Sequence, residues 1–264
     1  MSYLLKIHIL LLLFFTVNAT ADETPETSSE IPLYTYHNGG PFIVKEAQGL
    51  TYELARYLNQ EAKGKWVFKV IKLPRLRFNI KMPDAKIGIV PWVKPAWLRK
   101  INLKDDLWSY PYFKDANVIV SRNDNKIDYT GPESLFGYTI VKVKGAVQVG
   151  LESYIEQGYI REVNSINFEG HLNMLYHRRA DFVSTSLNIA KYMIPKLGLE
   201  NDLHISMRPI DQYTRHIMVL NGREDILFFI NDVIKKMAQD PVWLEALAKF
   251  GTAELRVTNF DVMD

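Results

Sequence analysis

Cysteine is absent from all 264 residues. No disulfide can staple the fold, no thiolate can act as nucleophile or metal ligand, and no N-terminal cysteine can carry a lipid. Stability must come from a hydrophobic core, and the 47% apolar composition supplies one. Long apolar runs are scarce too. The main one, residues 7–15, follows Lys6 and precedes Ala19-Thr20-Ala21. That order of charge, short apolar stretch and small-residue site reads as a secretory signal peptide over residues 1–21. A buried N-terminal helix is the alternative, and a membrane span would need about 20 apolar residues. The acidic, Pro/Ser/Thr-rich residues 22–31 read as a disordered linker. The expectation is a periplasmic chain that diffuses freely as a monomer.

An excess of charge is also missing. Lys and Arg number 32 against 30 Asp and Glu, a formal charge of +2, and loss of Lys6 with the signal leaves +1. Nothing in that balance favours nucleic acid or an anionic membrane. The basic stretch "KVIKLPRLRFNIK" (69–81) alternates charged with apolar residues and reads as a solvated face. No G-x-S-x-G, H-E-x-x-H, P-loop or G-x-G-x-x-G motif occurs. The six histidines are scattered without metal-ligand spacing, so no metal or cofactor is expected. No catalytic machinery is announced.

What the chain does carry is alternation of strands and helices. "PLYTYH" (32–37), "KWVFKVIKL" (65–73) and "AKIGIV" (85–90) read as strands. Between them stand a helix over 50–62, with Thr51 as N-cap, and a short helix opened by Pro74. After "ANVIVS" (116–121) a second unit repeats the order: strand 138–143, helix around 147–157, strand 159–163, helix 168–177, strand 181–185 and helix 187–194. "HIMVL" (216–220) adds a strand, and helices near 223–238 and 241–250 close the chain. The pattern argues for an α/β protein of two lobes, each a mostly parallel sheet flanked by helices.

Ligands of open α/β sheets bind outside the carboxyl ends of strands. Tyr36, His37, Asn38 and Phe42 follow the first strand, and Trp92 follows the third. Rings with a polar edge make good pocket walls, although each of these could instead be core. Arg99 could hold a carboxylate through paired hydrogen bonds, or it could be an exposed helix arginine. In "RRADFVSTS" (178–186), Asp181 reads as a strand-opening residue held by turn and arginine contacts, delivering Thr185 and Ser186 to the strand end.

Five segments in order carry a family resemblance: "YTYHNGGPF" with "QGLTYELARYLNQ", "RFNIKMPDAKIGIV", "WSYPYF", "MLYHRRADFV" and "INDVIKKMAQDPVWLEALAKFG". Together the chain resembles the family 3 extracellular solute-binding proteins, periplasmic receptors for polar amino acids and related solutes. The resemblance implies a type II periplasmic-binding-protein fold with two crossover strands, near residues 117 and 213. Lobe 1 would hold residues 32–117 and 213–264, and lobe 2 residues 118–212. A hinge would close the cleft on ligand. The family's carboxylate-holding arginine matches Arg99. Its usual Gly-Thr-Thr reads Gly145-Ala146-Val147 here, flanked by Lys144 and Gln148. The acidic residue that commonly takes an ammonium group is Ser186 in this chain, which argues against an ordinary α-amino acid.

The implied function is a non-enzymatic receptor for a small polar or aromatic solute, anionic solutes included, that delivers it to an inner-membrane transporter permease. The alternatives are a cyclohexadienyl-dehydratase-like lyase on the same scaffold, with His37 as acid or base, and a ligand-sensing module for a separate membrane partner.

Overall fold

A computed structural model describes residues 29–258. The signal-peptide reading and most of the linker therefore lie outside the described residues. Residues 29–31 do not continue a linker but open the first strand, β1 (Ser29–Thr35), which begins three residues before the stretch read from sequence. Burial explains the extension, because Ile31 is fully enclosed against the core.

The first lobe continues with α1 (Leu50–Ala62), β2 (Trp66–Lys72), α2 (Arg75–Lys81) and β3 (Ile89–Val93). Helix α1 spans the residues expected, but its N-cap is Gly49. Thr51 instead lies buried inside the first turn, where its Oγ1 accepts from Trp92 Nε1 at 3.1 Å. Strand β3 runs later than the sequence pattern placed it. Pro91 lies within it, and the β1 pairing is confined to Leu33 with Ile89, before that missing N–H would matter.

Two short and long strands lead out of this lobe, β4 (Leu107–Trp108) and β5 (Phe113–Arg122). The second unit comprises β6 (Thr139–Val143), α3 (Glu152–Glu156), β7 (Arg161–Ser165), α4 (Phe168–Tyr176), β8 (Phe182–Ser186), α5 (Leu187–Lys196) and β9 (Leu203–Ile205). The helix expected around 147–157 is helical only over α3, because Gly145 and Gly150 take positive φ and turn the chain before it. Finally β10 (Asp211–Val219) returns to the first unit, followed by α6 (Glu224–Met237) and α7 (Pro241–Ala248).

Hydrogen-bonded strands follow one path, β2-β1-β3-β10-β5-β8-β6-β7, with β4 on β10 and β9 on β5. Parallel pairs form the heart of each lobe: β1 with β2 and β3, and β6 with β7 and β8. The strands between them are antiparallel. The first half of β10 pairs with β5, with Asp211 opposite Asn117 and Tyr213 opposite Asp115. Its second half pairs with β3, with a register shift between His216 and Met218. These two strands thus tie one lobe to the other.

Side-chain alternation along each strand assigns its two faces to different cores. Ile217 and Val219 of β10 join α1, α6 and α7 on one face of the first lobe, while Met218 joins Phe78 and Val90 on the other. In the second lobe, Val118 and Val120 of β5 pack under α4 and α5, and Ile119 points to Leu135, Leu151 and Phe182. The C-terminal helices contribute Ile226, Ile230, Trp243 and Leu247 to the first lobe's core. Among the described residues no helix is long and apolar enough to cross a membrane.

Candidate functional site

Each parallel strand must release its chain at its carboxyl end, and the residues just past β1, β6 and β8 meet in one cleft. Past β1 come Tyr36, His37 and Asn38; past β6 come Ala146, Val147 and Gln148; β8 ends in Thr185 and Ser186. Pro74 starts α2 immediately after β2 and so sets Arg75 on the same edge. The crossovers supply Asn117, Tyr213 and Arg215, and α4 supplies His171. Two adjoining cavities of about 160 and 140 Å³ share Tyr36, His37, Arg75, His171 and Thr185. Together they fall near the lower end of the roughly 300–1,000 Å³ usual for small-ligand sites. A larger space of about 390 Å³ lies behind the crossovers, between Lys114, Tyr192 and Phe250, and shares no residue with the cleft.

The floor of the cleft is a buried ion pair. Arg215 donates from Nε at 3.0 Å and Nη2 at 2.7 Å to Asp115 Oδ2. Both side chains are essentially inaccessible. A third Arg215 hydrogen bond runs from Nη1 to the Trp92 carbonyl. The same Asp115 oxygen accepts from Ser186 Oγ at 2.6 Å, and its other oxygen accepts the Ala116 N–H at 2.8 Å. Trp92 on β3, Arg215 on β10, Asp115 on β5 and Ser186 on β8 therefore form one chain across the molecule. Ser186 also caps α5 by accepting from the Ile189 N–H at 3.3 Å. Its single proton is committed to Asp115. A second pair, Lys94 with Asp211, stands beside Asn117, whose Nδ2 donates to Asp211 Oδ1 at 2.7 Å.

Of the residues singled out in the sequence, the structure brings Tyr36, His37, Asn38, Gln148, Thr185 and Ser186 to the cleft. It does not bring Phe42, Trp92, Arg99 or Lys144 to its walls. Phe42 and Trp92 have no exposed surface and sit behind the cleft, 5.0 Å apart between ring centroids. Trp92 takes φ +66, sparsely populated for a non-glycine residue, and so turns its carbonyl toward Arg215 and His37. Arg99 is half-exposed and pairs with Glu152 at 3.2 Å on the outer rim. Lys144 lines only a shallow groove at the mouth, with Leu76 and Ile166. Asp181 is held by the Thr139 backbone, accepting its N–H at 2.8 Å, and not by arginines.

Sequence reasoning missed Arg75, His171 and Tyr213; Trp97, which the sequence places beyond a strand end, lines the cleft. The stretch 69–81 reads as a solvated face, yet Arg75 within it is 7% exposed. The clue was Pro74 starting a helix at a strand end, which fixes residue 75 at the ligand edge. Its Nε donates to Asn79 Oδ1 at 2.9 Å and its Nη2 to the Trp97 carbonyl at 2.7 Å. The guanidinium lies 4.3 Å over the Tyr36 ring. Burial raises the Tyr36 pKa, with Arg75 and Arg215 pulling against it. Among the described residues its hydroxyl makes no directed hydrogen bond.

Burial holds both cleft histidines neutral. His37 is pushed well below its ordinary range by desolvation and then by Arg215, against the bond of its Nε2 to the Trp92 carbonyl at 3.3 Å. His171 is 6% exposed, neither ring nitrogen has a partner, and desolvation takes its pKa to about 4. The sign of the consequence is fixed. Between about pH 6.5 and 4 the unfolded chain protonates this ring and the folded one does not, so stability falls as pH drops through that window. The loss attributable to His171 is about 3 kcal/mol. Urea unfolding of His171→Gln from pH 7 to 4 should lack that component, and an unaltered pH slope would contradict the burial.

Polar contacts also bridge the mouth. Asn38 Nδ2 donates to the Ile166 carbonyl at 3.4 Å, and Asn79 Nδ2 to that of Gly145 at 3.1 Å. Lys100 meets Glu156 at 3.7 Å beside the Arg99–Glu152 pair. Gly145 has φ +82, and a Cβ there would lie 2.7 Å from Leu76 Cδ2, so the two walls touch. Among the described residues, no three His, Cys, Asp or Glu side chains converge on a metal position.

No protein-family model matches the chain, and no curated protein matches it. Solved structures do. Holo ArgBP from T. maritima superposes with a TM-score of 0.66 at 23% identity, over 84% of this chain and 96% of that one. The GluR0 ligand-binding core from Nostoc punctiforme, in complex with L-glutamate, gives 0.69 at 14%, over 85% and 99%. The substrate-binding protein of an amino acid ABC transporter gives 0.67 at 16%, over 84% and 99%. At these identities the likeness establishes the fold: the two-lobe α/β architecture of periplasmic-binding-protein-like chains. It is consistent with the resemblance to family 3 solute-binding proteins.

Proposed function

We propose that this protein is a periplasmic, monomeric receptor that captures a small solute between its lobes and presents it to a membrane transporter permease. The carrying observation is the cleft itself, walled by aromatic and polar side chains from both lobes and flanked by the paired strands β5 and β10. The likeness to an amino acid ABC transporter's substrate-binding protein supports delivery to a transporter. Among the described residues, lobe 1 comprises 32–117 with 213–258, extended at its start by residues 29–31, and lobe 2 comprises 118–212. The hinge lies where Asn117 faces Asp211 and Asp115 faces Tyr213. Tyr36, His37, Asn38, Gln148 and Thr185 contact the solute, together with Arg75, Trp97, His171 and Tyr213.

Binding without turnover fits the cleft chemistry. The lyase alternative needs His37 as acid or base, but its Nε2 is engaged with the Trp92 carbonyl and, among the described residues, no carboxylate pairs with the ring. The likeness to the GluR0 ligand-binding core favours a sensing role as the second reading. Cross-linking of the closed protein in membranes separates the two, recovering a permease for transport or a signalling receptor for sensing.

Thermal denaturation against amino acids, organic acids, polyamines and sugars tests the receptor reading. A ligand at about 100 times its Kd should add about 2.7 kcal/mol to stability. A broad panel with no shift at all would count against any small solute.

A further inference from the structure

We infer that the solute is a monoanionic organic acid without an ammonium group, its carboxylate read by Arg75 and a second polar group by His171. This deepens the receptor reading and rests on it. The charges in and around the cleft carry the inference. Arg215 is matched by Asp115 and Lys94 by Asp211, so those pairs leave no net charge for a ligand. Arg75 is different. It is buried, its two hydrogen bonds go to neutral acceptors, and among the described residues no carboxylate pairs with it. A buried guanidinium asks for an anion, and its planar fork suits a carboxylate held by parallel hydrogen bonds. Among the residues lining the two cavities Arg75 is the one cation without a carboxylate partner, which favours a monoanion.

An ammonium group has no corresponding place. No Asp or Glu lines either cavity. Ser186, at the cleft end of β8, donates its hydroxyl hydrogen to Asp115 and accepts from the first turn of α5. Asp115, in the floor, has no exposed side-chain surface and is already paired with Arg215. An α-amino acid would bury its cation against neutral groups, with Arg75 close by.

His171 supplies the second determinant. Its ring is buried, lines both cavities and leaves both nitrogens unpartnered. A neutral imidazole offers one donor and one acceptor, which a hydroxyl or carbonyl on the ligand can answer. The Tyr36 hydroxyl, also without a directed partner, faces the same requirement. Trp97 and Tyr213, edge to face at 5.1 Å, with the Tyr36 ring leave flat walls for a cyclic body.

Calorimetric titration with matched pairs tests this: L-phenylalanine with 3-phenylpropanoate, L-tyrosine with 3-(4-hydroxyphenyl)propanoate, and L-leucine with 4-methylpentanoate. In at least one pair the amine-free acid should bind at least tenfold more tightly than its amino acid. Arg75→Gln should weaken that acid at least tenfold, while the unliganded variant melts no lower than wild type, because an unpaired buried charge has gone. Arg75→Lys, which keeps the charge but not the fork, should fall between. If in every pair that binds the amino acid is held as tightly as its amine-free partner, the inference is overturned, as it is by an acid whose affinity survives Arg75→Gln. If only a sugar or polyamine from the wider panel binds, the anion assignment fails and the receptor reading stands. If nothing binds, both fail.

Discussion

Asp115→Ala is expected to cost about 3–5 kcal/mol of stability, measured by urea unfolding at neutral pH. The figure does not express the worth of the Arg215–Asp115 pair against water. It reflects what remains: a guanidinium with 1% side-chain exposure, left with a backbone carbonyl and the Tyr213 hydroxyl. Ser186 would lose its acceptor at the same time. The sign is checked by replacing both partners, Asp115→Leu with Arg215→Met. Desolvating two ions offsets much of their attraction, so the apolar pair should recover most of the loss. A single variant within about 1 kcal/mol of wild type would mean that water reaches the pair in solution.

Trp92→Ala should cost about as much, about 3–5 kcal/mol, through the cavity it opens. The ring is fully enclosed and packs against Phe42, Tyr112, Phe113 and Trp243 at 5.0 to 6.5 Å between centroids. Backbone strain separates this site from an ordinary core position. Because φ is +66, Trp92→Gly should be at least as stable as Trp92→Ala, the reverse of the usual order within a strand. Thermal unfolding of the two variants decides it. If the alanine variant is the more stable, the left-handed backbone at residue 92 is wrong.

The two residues also show how far the sequence could be read. Strand and helix alternation was legible because burial on both faces of a strand leaves apolar runs, as in "NVIVS", and one-sided burial leaves helical spacing, as in α1. The boundaries that moved did so for local reasons: Ile31 drew β1 back toward Ser29, and positive-φ glycines shortened the helix before α3. The ends of β1, β6 and β8 meet at one cleft, as carboxyl-end placement in parallel sheets leads one to expect.

Which side chain among several points inward was not legible. Arg99 and Arg75 both follow strand-end prolines or aromatics, and only the course of the chain through Pro95–Trp97 puts one on the rim and the other under Trp97. Trp92 looked like a wall residue because its positive φ, which turns the ring into the core and the carbonyl to the cleft, leaves no mark in composition. Asp115 and Arg215 lie 100 residues apart, so their pairing depends on the register of the crossovers. Ser186 is tied to that same pair through its bond to Asp115, which no local pattern in the sequence announces.

Closure of the two lobes on a bound acid is the central claim, and small-angle X-ray scattering reads it directly. With the tightest-binding acid of the matched pairs at saturation, the radius of gyration should fall relative to ligand-free protein as the populations shift to the closed form. Superimposable free and bound profiles, with binding confirmed by calorimetry in the same samples, would contradict it.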